Sequence, residues 1–198
     1  QLCMMGFRKF VLIDYADVEE NDIARTPFRT ASQIGLPKTL AAKALVEDLA
    51  FDPVVRLHNT TLQTRTDLDE LVQGTTLMVN TADEPYVGYT NIKLSRYALQ
   101  HDIPLMAAGG FDAHLASLGE LLVPHVTPCA DCYATYFHES LKDWKPIPHP
   151  VKEREGWFGG LGSLSVFSAS TAALDILTYF MNPEDKRAVA GGRGEFHF

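Results

Sequence analysis

Three charged side chains early in the sequence have types and spacings that suit a nucleotide. Asp14 ends the apolar run Phe10–Ile13, Arg25 follows eleven residues later, and Lys38 closes the segment Ile34-Gly-Leu-Pro-Lys38. A carboxylate at the carboxyl end of a parallel strand commonly accepts hydrogen bonds from ribose hydroxyls. An arginine fork and a lysine ammonium hold phosphoryl oxygens and stabilise a departing pyrophosphate. Each residue alone suits an ordinary surface, but together they predict a nucleotide site.

A fourth charged residue, Asp83, follows the apolar run Thr75–Val79 in the segment Asn80-Thr-Ala-Asp83-Glu-Pro. Carboxylate oxygens at the end of a strand can hold Mg²⁺ directly or through water. The same position also suits an acid that caps the next helix. Taken on its own residues, Asp83 is therefore either a metal-side carboxylate or a helix cap.

Two thiols lie close together as Cys129-x-x-Cys132. This spacing supplies two of the four ligands of a structural zinc site. A redox pair is the weaker alternative, because the cysteines follow a proline-rich loop and are not expected to open a helix after a strand. On their own residues, Cys129 and Cys132 are therefore half of a zinc site with further ligands outside residues 1–198, two thiols without zinc, or a redox pair.

Strands and helices alternate along the chain, which positions these residues. Apolar runs predict strands at Phe10–Ile13, Val54–Leu62, Thr75–Val79, Pro104–Ala107 and Leu118–Val123, and helical periodicity predicts helices at 38–50, 67–72, 87–100 and 163–180. This order indicates an α/β fold, a Rossmann-like, mostly parallel sheet with helices on both faces. Such a sheet brings the residues that follow its strands to one edge.

The beginning of the chain predicts a truncated unit. Residues 1–9 read as the last turns of a helix that Gly6 ends. In a nucleotide-binding unit, a strand and a glycine-rich phosphate loop precede that helix. We therefore expect that the first strand and this loop are missing, and that residues 1–198 alone are inactive.

Composition narrows the classes of function. The 198 residues are 46% hydrophobic and 21% charged, which is ordinary for one globular domain. The net charge of −8 without clusters of Lys and Arg argues against nucleic acid or an anionic membrane. No apolar run is expected to span a bilayer, and three cysteines suit a reducing cytoplasm.

The runs Asp14-Tyr-Ala-Asp-Val18, Asp22-Ile-Ala-Arg25 and Ile34-Gly-Leu-Pro-Lys38, with Thr127-Pro-Cys-x-x-Cys132, resemble the ThiF/MoeB family, the bacterial relatives of ubiquitin-activating enzymes. Residues 1–198 would form one such domain. Within it, the resemblance implies a core over 1–137, a crossover loop over 138–156, a core helix over 157–180 and a tail over 181–198 without a sheet to join.

The resemblance implies ATP-dependent adenylation of a carboxylate. It assigns ribose binding to Asp14, phosphate binding to Arg25 and Lys38, and support of Mg²⁺ to Asp83, and it places Asp22 where the family has a phosphate-binding Asn. The implied cofactors are ATP, Mg²⁺ and structural Zn²⁺. The implied partner is a ubiquitin-like sulfur carrier or a precursor peptide, bound by a homodimer. The alternatives are a non-catalytic peptide-binding or dimerisation module and, less favoured, an NAD-dependent oxidoreductase.

Overall fold

Parallel strand pairs form the frame of the molecule. In the computed structural model β1 (Lys9–Ile13) pairs with β2 (Val54–His58), and β3 (Met78–Asn80) pairs with β4 (Leu105–Ala107). Strand β4 also pairs antiparallel with β7 (Glu120–Leu122). The structure describes residues 1–26, 30–63, 66–109, 111–112, 115–145, 162–185 and 195–197, without the side chains of 24, 25, 111, 112, 115, 116 and 195–197.

Helices connect and cover these strands. They are α1 (Glu20–Arg25), α2 (Lys38–Leu49), α3 (Leu68–Val72), α4 (Val87–Gln100), α5 (Ala130–Leu141) and α6 (Gly162–Met181). A 3₁₀ turn, Leu2–Met5, precedes β1 and ends at Gly6, whose φ of 94° is in the left-handed region that glycine adopts without strain. The predicted helical end at Gly6 is therefore confirmed.

The sheet around β4 is apolar on both faces, as expected for strands covered on both sides. Leu105 and Leu122 are register partners and pack into a cluster with residues of α3 and α4. Met106 and Leu121, the next pair, point to the opposite face and pack against Ala172 and Ile176 of α6. The predicted α/β class, with parallel strands and helices on both faces, is confirmed.

The described strands do not form one continuous sheet. The described strands form three sheets, since β1–β2 and β3–β4–β7 share no ladder. The third sheet is antiparallel and contains β5 (Phe111–Asp112), β6 (Leu115–Ser117) and β8 (Glu195–His197). The expectation that the tail has no sheet to join is therefore wrong, because β8 pairs with β6.

Two predictions about helices also change. The cysteine pair does open a helix, because Cys129 is the N-cap of α5, which follows β7 after a short loop. Helix α5 extends four residues into the predicted crossover loop, 138–156, most of which lies outside the described residues, as does 157–161 of the predicted core helix. Prolines 124 and 128 had favoured a loop here, but helix formation can begin directly after such a segment.

Helix α6 is long and apolar enough to cross a bilayer by length and composition, contrary to the expectation from the sequence. It contacts β5, β6, β7 and α1. Its buried residues, Leu164, Ser168, Ala172, Ala173 and Ile176, recur at helical spacing. These contacts are those of a core helix.

Candidate functional site

Asp14 lies directly after β1, at the carboxyl end of that strand. Its N–H donates to the carbonyl oxygen of His58, so the ladder with β2 continues to this residue. Its side-chain Oδ1 accepts a hydrogen bond of 2.9 Å from the N–H of Ala16. This local turn holds a half-buried carboxylate at the sheet edge, as predicted from the sequence.

Backbone pairing holds the start of α2 beside this loop. The N–H of Val18 donates to Leu36 at 2.8 Å, and the N–H of Lys38 donates to Ala16 at 2.9 Å. Asp17 and Pro37 form an antiparallel bridge between the same two segments. The loop after β1 and the first residue of α2 are therefore fixed next to each other, which brings Lys38 close to the Asp14 turn.

Lys38 already has a carboxylate partner. Its Nζ lies 3.1 Å from Oδ2 of Asp22, whose side chain is 7% exposed. The same Oδ2 accepts the N–H of Glu19 at 3.0 Å, one half of the capping box that begins α1. One oxygen therefore joins the start of a helix to the lysine predicted to hold phosphates.

Arg25 is the last residue of α1. Its side chain lies outside the described part of the structure, so its role at the phosphates stays a prediction. The roles of Asp14, Asp22, Lys38 and Asp83 toward ATP are likewise predictions, although the backbone brings the first three into one loop cluster.

The loop after β3 meets the loop after β1 through Tyr15. The Tyr15 hydroxyl donates to Oε2 of Glu84 at 2.5 Å. This hydrogen bond raises the pKa of Tyr15, and the nearby charges of Asp14 and Asp83 raise it further. The loop that carries the predicted ribose acid, Asp14, is therefore in contact with the loop that carries the predicted magnesium acid, Asp83.

Asn80 fixes the backbone that carries Asp83. Its Nδ2 donates to Thr90 Oγ1 at 3.0 Å and to Asn91 Oδ1 at 2.6 Å, and its Oδ1 accepts the N–H of Ala82 at 3.1 Å. The Thr90 hydroxyl in turn donates to the carbonyl of Ala82 at 2.7 Å. Asn80 and Thr90 are buried, so α4 anchors the loop from beneath.

A cavity of about 690 Å³ lies beside this loop. Its walls come from the ends of β3 and β4, from β7, and from helices α4, α5 and α6. Asp83 and Asn91 line one side, while Tyr133 and Phe137 of α5 line another. The volume is typical of a pocket for a small ligand or a few residues of a peptide.

Glu120 lines this cavity and is 7% exposed. Its Oε1 accepts a short hydrogen bond from the Tyr133 hydroxyl. Glu120 was not predicted as a site residue, because it lies inside the apolar run Leu118–Val123. An acid in an otherwise apolar strand was the one available signal, since carboxylates are seldom buried without a partner.

The cysteine pair lies at the start of α5. The sulfur atoms of Cys129 and Cys132 are 3.4 Å apart. Two thiolates on one tetrahedral zinc ion lie about 3.8 Å apart, so this pair fits half of such a site. Among the described residues, no group of three potential ligands is present, and zinc binding stays a prediction.

Comparison with family models gives a match over most of the chain. Residues 1–191 match the model of the ThiF family. No curated protein sequence matches the chain.

Solved structures share the fold at low sequence identity. An E. coli MccB structure with MccA-N7isoASN has a TM-score of 0.71 at 17% identity, covering 96% of this chain and 54% of that one. E. coli MccB with ATP has a TM-score of 0.69 at 20% identity, covering 96% and 53%. PaaA has a TM-score of 0.63 at 22% identity, covering 96% and 61%. The chain therefore spans about half the length of the MccB structures it matches.

Proposed function

This chain belongs to the ThiF family, and from that premise we propose that the protein uses ATP to adenylate a carboxylate of a peptide or protein. The observation that supports this most is the hydrogen bond from Tyr15 to Glu84, which joins the loop of Asp14 and Lys38 to the loop of Asp83, beside a cavity of about 690 Å³. Nucleotide and acceptor would then occupy adjacent parts of one site.

In the proposed reaction a carboxylate oxygen attacks the α-phosphorus of ATP. A carboxyl oxygen–phosphorus bond forms, the bond from the α-phosphorus to the bridging oxygen breaks, and pyrophosphate leaves with that electron pair. Lys38 and Arg25 would stabilise the charge on the phosphates, and Asp14 would orient the ribose. Positioning and electrostatics can supply most of the rate of such a step.

The residues present suit magnesium bound together with ATP. Mg²⁺ is usually held by one or two carboxylates plus phosphates and water, and Asp83 is an exposed acid at the edge. Magnesium would neutralise phosphate charge when bound. Asp83 would hold it at the phosphate end of the cavity.

We take a precursor peptide as the substrate class to test first, and the C-terminus of a sulfur carrier as the alternative. Support for the peptide comes from MccB, which has this fold and has been solved with ATP and, separately, with MccA.

A second candidate function is a non-catalytic peptide-binding module of the same fold. The Asp22–Lys38 pair favours it, because Asp22 neutralises the lysine that the phosphates would need. ATP turnover separates the two functions.

The test is ATP–pyrophosphate exchange by the full-length protein with candidate peptides. We expect exchange in the wild type and a loss of roughly 100-fold or more in Lys38→Met and Asp83→Asn, because the first removes a positive charge at the phosphates and the second a ligand of Mg²⁺. Lys43→Met is the matched control, since Lys43 lies on the same helix and pairs with Glu47. Tight peptide binding without exchange in the wild type would support the non-catalytic module instead.

A further inference from the structure

We propose that the cavity beside Asp83 holds a positively charged side chain of the peptide, a lysine ammonium or an arginine guanidinium, close to the carboxylate to be activated. This inference rests on the proposed function, from which it follows that the ligand is a peptide. The site that would bind this cation is formed by Glu120, Tyr133 and Phe137.

The charges on the cavity wall all have one sign. Among the described lining residues, the charged ones are Asp83 and Glu120, and both are acids. Low-dielectric walls that carry one sign of charge concentrate the field on an entering ligand. The wall therefore favours a cation and disfavours an acidic side chain.

Glu120 is a buried carboxylate that has no cationic partner among the described residues. In the described part of the chain its partner is the hydroxyl of Tyr133, and no lysine, arginine or histidine there forms an ion pair with it. A neutral hydroxyl leaves most of the desolvation cost of a charge at 7% exposure uncompensated. A cation entering the cavity would supply the charged partner that the described residues do not.

The aromatic residues of the wall suit the same ligand. Tyr133 and Phe137 are one turn apart on α5 and both line the cavity. Phe137 is half exposed although it is apolar. Aromatic faces attract ammonium and guanidinium groups, and the methylene stem of either side chain can pack against them.

The position of Asp83 sets how far the cation lies from the reaction. Asp83 lines the cavity at the edge where the phosphates would bind, whereas Glu120 lies on β7, paired in register with Ala107. A peptide whose terminal carboxylate reaches the nucleotide would thus place one of its last few side chains at Glu120.

The test compares peptides that differ in one charge. Peptides with a free terminal carboxylate carry lysine, acetyl-lysine or glutamate at each of the last four positions in turn, and their binding to the full-length protein is measured by calorimetry. At one position we expect lysine to bind about 10- to 100-fold more tightly than acetyl-lysine, as for a hydrogen bond to a charged group.

Glu120→Gln keeps an acceptor for the Tyr133 hydroxyl and removes the charge, so we expect it to fold and to reduce this preference to less than about 3-fold. Glu139→Gln, an exposed position on α5, is the matched control and retains the preference. Equal binding of lysine and acetyl-lysine by the wild type would overturn the inference, whether or not the variant folds. So would absence of binding by every peptide, or a preference that persists in Glu120→Gln.

Pyrophosphate exchange on the same peptides separates this inference from the proposed function. A lysine preference that depends on Glu120, without any exchange, would support the cation site and refute adenylation. Exchange without a preference for lysine would support adenylation and refute the cation site.

Discussion

Two carboxylates are buried to nearly the same degree in this molecule, Asp22 at 5% exposure and Glu120 at 7%, but their partners differ. Asp22 accepts from a lysine ammonium and from a backbone N–H. Glu120 accepts from a tyrosine hydroxyl. Burial alone therefore does not assign a role, because a carboxylate paired with a cation stabilises the fold and one without it can bind a cationic ligand.

The largest effect is expected when Asp22 loses its lysine partner. We expect Lys38→Met to lower the free energy of unfolding by about 1.5–3 kcal/mol, because it removes one charged partner of a buried carboxylate. Urea denaturation measures this, and Lys43→Met, at an exposed ion pair, should change stability by less than about 0.5 kcal/mol. The double variant Asp22→Asn/Lys38→Met should recover most of the loss. Equal effects of Lys38→Met and Lys43→Met would mean that Asp22 does not depend on its lysine.

The corresponding change at the cavity removes the Tyr133 hydroxyl that donates to Glu120. Tyr133→Phe should cost about 1–3 kcal/mol, because Glu120 then loses its donor while staying buried. Thermal or urea unfolding measures it. Tyr136→Phe is the matched control on the same helix, at a side chain that is 65% exposed. A cost below about 0.5 kcal/mol would show that water already hydrogen-bonds Glu120 in the cavity.

Tyr97 and Asp69 form a second tyrosine–carboxylate pair, in which the acid is exposed. Burial raises the pKa of Tyr97 to about 12, and its hydrogen bond to Asp69 adds to this. The unfolded chain loses the proton near pH 10 and the native state later, so wild-type stability should fall as pH rises from 10 to 12. Tyr97→Phe should remove about 1–2 kcal/mol of that fall, measured by denaturation across this range. Parallel curves for the two proteins would contradict the prediction.

The smallest effect is expected at the exposed pair of Arg96 and Asp131. Their hydrogen bond, 2.7 Å from Nε to Oδ2, lowers the pKa of Asp131. Its contribution is therefore present at neutral pH and is lost as pH falls through the lowered pKa. Because both side chains are more than a third exposed, Arg96→Gln should lower stability at pH 7 only slightly, by less than any of the changes above. The difference in stability between wild type and variant should disappear as the pH is lowered, measured by urea denaturation. A difference that grows at low pH would contradict the prediction.

The local sequence predicts the region around Asp22 better than the region around Glu120. The strand before Asp14 and the helix that begins at Lys38 were predicted from short runs of residues, and both are observed. The ion pair itself was not predicted, because it depends on how the loop after β1 folds back onto residues 35–38.

The region around Glu120 depends on contacts between elements that are far apart in the sequence. Glu120 lies on a strand that was predicted. Tyr133 lies 13 residues later, on a helix that was not predicted. The cavity needs α4, α5 and α6 to pack around the ends of three strands, and hydrophobic periodicity carries no information about such an arrangement.

The hydrogen bonds of the Asn80 amide affect the entropy and the rate of binding at the loop that follows β3. Its hydrogen bonds, with that of Thr90, hold the backbone of Ala82 at both its N–H and its carbonyl. A loop held in this way has little conformational entropy left to lose when a ligand arrives. Association at this edge should therefore be fast and limited by encounter, with little contribution from rearrangement of residues 81 to 83.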